Sequence, residues 1–144
     1  KFIPWILETS MGLGRLFLAV LADAYREDVM GDESRTYLAL APHLAPVKAM
    51  VAPLLKNKPE LVAKAREVYA ALKREEPQIA WDDNGNVGKR YRRQDEIGTP
   101  YCVTVDFQTV EQDQAVTIRE RDSMDQIRVP IAELLSVLKA KLSA

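Results

Sequence analysis

Residues 47–55, VKAMVAPLL, form an apolar run of strand length that does not alternate with polar residues. A strand with one wet face would alternate. This one needs cover on both faces and belongs near the centre of a sheet. Pro53 sets the end of the strand, because proline cannot donate to a ladder. The next segment, KPELVAKAREVYAALKREE (58–76), has the opposite signature. Leu61, Ala65, Val68 and Leu72 share one face of a helix, and Pro59 suits its first turn. A strand buried on both faces, followed by a helix apolar on one, points to the α/β class.

The rest of the chain extends this pattern. QIAW (78–81) reads as a strand, DDNGN (82–86) as a loop, and VGKRYRRQDEI (87–97) as a short helix closed by Gly98. YCVTVDF (101–107) is a third strand. QAVTIRERD and QIRVPI alternate in period two around the turn SMD, which predicts a hairpin. Pro130 is then expected to start a last helix, with Ile131, Leu134, Leu135, Leu138 and Leu142 along one stripe. The order β-α-β-α-β-β-β-α predicts a mixed, mostly parallel β-sheet flanked by helices, with the hairpin as an antiparallel edge.

Upstream, KFIPWIL reads as a short buried strand and residues 12–25 as a helix apolar around most of its surface. That is more apolar surface than 25 residues bury by themselves. Residues 26–45 are polar and then proline-rich, as a linker would be. The expected organisation is a remnant of another domain over 1–25, a linker over 26–45 and a domain over 46–144, together a piece of a longer protein.

With 144 residues the chain suits one domain plus a fragment. A net charge of −1 supplies no global field for nucleic acid, so any RNA site must be a local basic patch. The single cysteine, Cys102, excludes an internal disulfide and permits a reducing compartment; inside an apolar strand it reads as a core thiol. The longest apolar run, Leu16 to Ala22, is too short to cross a bilayer. His43 is the sole histidine, so no His-based dyad or soft-ligand metal site can be assembled. Asp82 and Asp83 follow a strand, as the acidic pair of a phospho-receiver would, with Asp106 as a third carboxylate. No lysine follows the remaining strands in the right place, and Asn84 and Gly85 make a turn the better reading.

Two stretches could carry chemistry. In ETSMGLGR, a glycine-lined turn opens a helix, and Gly12, Leu13 and Gly14 precede Arg15. Phe17 stands where a dinucleotide fingerprint needs its third glycine. Free amides and the helix dipole favour an anion there, and a cation in the first turn opposes that dipole unless an anion joins it. Arg15 therefore waits for a phosphate or pairs with a carboxylate such as Glu8; spacing does not separate the two. Glu8 and Ser10, two apart in an extended segment, project the same way and could hold a small ammonium group. By residue type alone Ser10 is more simply a helix cap. The second stretch is GKRYRRQDEIG, with Lys89, Arg90, Arg92 and Arg93. Charge runs are usually solvated faces, but Tyr91 among the arginines suits RNA, whose bases stack on rings and guanidinium planes. The hairpin arginines Arg119, Arg121 and Arg128 are further candidates.

FIPWILETSMGLGRLFLAVLADAY resembles the third signature motif of class II aminoacyl-tRNA synthetases, in the form carried by the glycine-specific branch. LAPHLAPVKAMVAPLLKN, DDNGNVGKRYRRQDEIGTPYCVTVDF and TIRERDSMDQIRVPI resemble that branch's C-terminal anticodon-binding domain. The resemblance covers essentially the whole chain. It implies ATP as a substrate contacted by Gly12, Leu13, Gly14 and Arg15, and glycine held by Glu8, Thr9, Ser10, Met11 and Gly12. Thr9 and Met11 stand where many relatives have proline and alanine, and Gly14 where aspartate or valine is more usual. The resemblance also implies tRNA(Gly) as partner, with Lys89, Arg90, Tyr91, Arg92, Arg93, Arg119 and Arg121 as anticodon candidates. It implies a cytoplasmic location, magnesium accompanying ATP in the full-length enzyme, and a homodimer formed through upstream regions. No metal or cofactor is expected on this fragment, which is not expected to catalyse alone. The alternative is a non-catalytic RNA-binding accessory module of the same fold.

Overall fold

In the computed structural model, which describes residues 2–30 and 33–143, α1 (Leu13–Ala24) runs without a break into an antiparallel hairpin. Its strands are β1 (Tyr25–Met30) and β2 (Glu33–Leu38), paired from Tyr25 against Leu38 onward. A five-stranded sheet follows, in the order β4-β3-β5-β6-β7. It is built from β3 (Ala49–Pro53), α2 (Pro59–Glu75), β4 (Ile79–Trp81), α3 (Val87–Ile97), β5 (Tyr101–Val105), β6 (Ala115–Glu120), β7 (Gln126–Pro130) and α4 (Leu134–Ser143). A short π-helical turn, Thr109–Asp113, joins β5 to β6. β3 is parallel to β4 and β5, and β5, β6 and β7 are antiparallel in succession. The sheet is therefore mixed, with two parallel and two antiparallel pairings.

The element order from residue 46 onward follows the hydrophobic pattern. β3 is buried at every position and ends at Pro53. α2 buries the stripe Leu61, Ala65, Val68 and Leu72 against the sheet. Each fully buried Val or Leu in such a stripe contributes about 1.5–3 kcal/mol. α4 packs on the same side, through Leu134 and Leu138 onto Val103, Val116, Ile118 and Val129. The opposite face carries Met50, Ala52 and Cys102, and Tyr91 of α3 covers it. The crossovers step to opposite sides of β3, which puts α2 and α3 on opposite faces of the sheet.

Three expectations are corrected. Residues 2–7 form no strand: Phe2, Ile3, Trp5, Ile6 and Leu7 are each at least 80% exposed, and among the described residues no strand pairs with them. A strand without a ladder partner has no place for its backbone hydrogen bonds; Lys1 lies outside the described residues. Residues 26–45 are not an open linker, because β1 and β2 occupy most of the polar part and β2 packs on α3. Gly31 and Asp32, between these strands, lie outside the described residues. Pro130 ends β7 instead of starting α4. On an edge strand its missing N–H costs nothing, and Ile131 N donates to Gln114 O beyond it.

Candidate nucleic-acid interface

α3 is a helix whose buried face is polar. Arg90, Gln94 and Asp95 are buried, whereas Lys89 and Glu96 are exposed and Arg92 and Arg93 half-buried. Asn86 caps its start, its Oδ1 accepting from Lys89 N at 2.8 Å. Gly98 closes it at φ +83°, and a Cβ there would sit 2.7 Å from Leu40 Cδ1. Both ends of the helix are thus fixed by sequence-local chemistry.

The structure divides the anticodon candidates into two groups. Arg90, Tyr91, Arg119 and Arg121 turn inward. Arg90 is 1% exposed and donates to the carbonyls of Pro53, Asp83, Asn84 and Gly85, which ties the 82–86 loop to the end of β3. Tyr91 bonds Thr104 Oγ1 at 2.8 Å and lies under the Arg119 guanidinium, 4.8 Å from its ring centre. Arg119 makes a bidentate pair with Asp95, at 2.9 and 3.0 Å. Arg121 donates to Gly98 O at 2.8 Å and grips Asp122. Arg90, Arg119 and Arg121 are thus committed to partners inside the protein, whereas Tyr91 is half-buried, with Arg119 against its ring. Arg128 is held likewise, between Asp106 and Asp113.

Lys89, Arg92 and Arg93 form the outward group. Arg92 Nη1 reaches Ser34 O, and Arg93 pairs with Asp82 at 2.7 Å while also donating to Asn84 O. Asp82 Oδ1 in turn accepts from Asn84 N, the turn geometry expected of this loop. Asn86, Gly88, Lys89 and Arg92 line an open recess of about 510 Å³. A second recess of about 400 Å³ lies beside it, where Lys56 and Asn57 join Gly85 and Asn86. Together they occupy the carboxyl ends of β3 and β4, the side of a parallel sheet where ligands settle. Lys56, Asn57 and Asn86, which line these recesses, are not singled out by the sequence pattern. The signal was available in the topology, which brings the loops after β3 and β4 to one edge.

The helical periodicity of α3 sorts the basic run. Val87 and Tyr91, four apart, mark the inward face, and Arg90 and Gln94 flank them. Lys89, Arg92 and Arg93 fall opposite.

At the other end of the chain, Gly12 is the N-cap of α1, with Arg15 N and Leu16 N both directed at its carbonyl. Ser10 makes no cap bond, so the capping role expected of it is corrected. Among the described residues the side chains of Glu8, Ser10 and Arg15 have no hydrogen bond or ion pair, and the alternative pairing of Arg15 with Glu8 is not formed. Thr9 and Met11 are likewise exposed. α1 buries only Ala24; Leu13, Leu16 and Phe17 line a 450 Å³ apolar recess with Leu38, Leu40 and Ile97, and Leu18 is exposed. Among the described residues, no cluster of three or more His, Cys, Asp and Glu could hold a metal ion. Among the described residues, no helix is long and apolar enough to cross a membrane.

The sequence model of the family described as "Anticodon binding domain" matches residues 48–141, about two thirds of the chain. The chain belongs to the anticodon-binding domain family. The α3 recesses therefore lie within the matched domain, and α1 with its hairpin precedes it. Over 143 residues, 99% of the chain, it is 50% identical to the glycine–tRNA ligase of Clostridium acetobutylicum, covering 30% of that protein. It is 48% identical to the Bacillus cereus (strain ZK / E33L) enzyme over 142 residues, and 50% identical to that of Borreliella burgdorferi over 143. The anticodon-binding domain and its preceding helix thus span about a third of the length of these relatives. A crystal structure of prolyl-tRNA synthetase from Cryptosporidium parvum matches the fold with a TM-score of 0.63. It is 23% identical, over 74% of this chain and 23% of that one.

Proposed function

We propose that this chain is the anticodon-recognising end of a glycine–tRNA ligase, which joins glycine to ATP as glycyl-adenylate and passes it to tRNA(Gly). The carrying observation is near-50% identity to such ligases across 99% of the chain, upstream stretch included. A non-catalytic accessory module would have no use for Glu8, Ser10 and Arg15 together.

In this reading residues 46–144 hold the anticodon, residues 1–25 belong to the catalytic domain, and residues 26–45 connect the two through the hairpin. Lys89, Arg92 and Arg93 contact the anticodon arm, with Asn84, Asn86 and Asn57 supplying donors and acceptors to base edges. Arg15 stabilises negative charge on the ATP phosphates at the head of α1. Its freedom from internal carboxylates supports that role, as does Gly14, whose missing side chain would meet nothing within 4 Å. Glu8 accepts the ammonium of glycine and Ser10 adds a hydrogen bond, with Thr9, Met11 and Gly12 beside them. Magnesium is proposed only as a companion of ATP held outside this chain. Dimerisation through other regions and a cytoplasmic location belong to the same proposal.

The test is footprinting of full-length protein on tRNA bearing a glycine anticodon. Protection should centre on the anticodon loop and weaken as salt rises; each lost phosphate contact lowers the salt slope by about one. Lys89→Ala and Arg92→Ala should weaken binding without altering adenylate formation, and Arg15→Ala should do the reverse. Protection confined to the acceptor stem, or equal protection of any anticodon, would refute the assignment.

A further inference from the structure

The hairpin β1–β2 has only two strands, and a two-stranded ribbon does not hold its own position in water. One buried guanidinium ties it to α3 and to the chain just past β6. Arg35, on β2, is 2% exposed and serves three elements at once. Its Nε and Nη2 grip Asp28 on β1, at 2.6 to 3.1 Å. Its Nη1 donates to Arg121 O at 2.7 Å, just past β6, and lies 3.4 Å from Asp95 on α3. The ring of Tyr37 lies against it, 4.1 Å from centroid to guanidinium carbon. Arg92, on the outward face of α3, adds a bond to Ser34 O on the same strand.

The hairpin is also welded to α1. Tyr25 is both the C-cap of α1 and the first residue of β1, and Ala39 N donates to Ala24 O. A continuous path therefore runs from Arg15, at the head of α1, through the hairpin and Arg35 to α3. No free linker interrupts it among the described residues. Buried ion pairs contribute little net stability but fix geometry, since a planar fork satisfies its partners in one arrangement only.

We infer that Arg35 is a positioning residue that sets the angle between the end of the chain carrying Arg15 and the RNA-facing helix α3. This inference rests on the tRNA-charging reading above. A tRNA bound at its anticodon must deliver its 3′ end to a distant site, and a small misplacement there is costly in rate.

The experiment compares wild-type and Arg35→Met in the full-length protein by three measurements. These are glycine-dependent pyrophosphate exchange without tRNA, affinity for an anticodon stem-loop, and kcat/KM for charging a whole tRNA transcript. Arg119 still pairs with Asp95 in this variant, so α3 keeps its seat. Exchange and stem-loop affinity should stay unchanged, while charging falls on the order of tenfold to a hundredfold. Unchanged charging would overturn the inference. So would an equal loss of stem-loop affinity, because Arg35 would then shape the RNA face itself. If Arg35→Met does not fold, Asp28→Asn releases the same guanidinium from its half-exposed side and should show the same split, smaller in size; unchanged charging there would overturn the inference too. Failure of the wild-type protein to charge glycine onto any tRNA would instead remove the ligase reading and this inference with it.

Discussion

Asp95 holds two guanidinium groups inside the protein. It is 1% exposed, accepts two hydrogen bonds from Arg119 and faces Arg35. Removing one partner of a buried pair leaves the other charge without compensation, at about 3–5 kcal/mol. Asp95→Leu should therefore lower unfolding free energy by about that amount in urea titrations. A loss under about 1 kcal/mol would mean the two guanidinium groups find water. At this scale the sequence was least legible. By residue type Arg90 and Arg119 look identical to Lys89 and Arg92; the wheel of α3 turns Arg90 inward but does not name the carbonyls and Asp95 that hold the two arginines. Those partners lie on other elements: Pro53 at the end of β3 for Arg90, and Asp95 on α3 for Arg119. Cys102, by contrast, was legible, because its apolar strand neighbours predict a core thiol; burial pushes it up to about 12.

Elements were legible wherever one face was apolar. β3, α2, β5 and α4 each follow from runs or stripes of Val, Leu and Ala, and α3 from its caps. β1 and β2 were not, since YREDVM and ESRTYL offer no apolar face and their inward residue is an arginine. The edge strand β7 adds polar pairing to the burial of Val129. Arg128 bridges Asp106, just after β5, to Asp113 at the end of the π-helical turn. The Arg128 hydrogen bonds hold Asp113 at about 2. Burial works to raise Asp106, but bonds from Arg128 and Thr109 outweigh it and leave it below its usual value. Both carboxyls are depressed by folding. Their contribution is thus fully present above the unfolded value near 4 and is lost as pH falls toward about 2. Arg128→Met should flatten that part of the stability-versus-pH curve, leaving the wild-type and variant curves closer at pH 2 than at pH 6. Parallel curves would show that this bridge contributes nothing to the acid limb.

At the scale of the whole molecule, the described residues divide into a well-packed part and a bare one. The main core is assembled from β3–β7, α2 and α4, and it includes no residue before Ala49. A smaller cluster ties the last turn of α1, through Val20 and Ala24, to Leu38, Leu40 and Ala45. Ahead of it, Phe2, Ile3, Trp5, Ile6, Leu7 and Met11 are exposed together. Apolar patches of this kind normally meet a partner surface, and on an isolated chain they promote association. Removing residues 1–11 from the 144-residue chain deletes none of the core contacts and leaves Gly12 to cap α1. The shortened chain should unfold within about 0.5 kcal/mol of the parent, because surface changes away from packed features seldom exceed that. It should also remain monomeric at concentrations where the parent self-associates, as sedimentation would report. A stability loss above about 2 kcal/mol would instead mean that these residues fold back onto α1 and its 450 Å³ recess in solution. In that case the exposed stretch is part of this domain's own core, and the boundary proposed near residue 25 would have to move to the start of the chain.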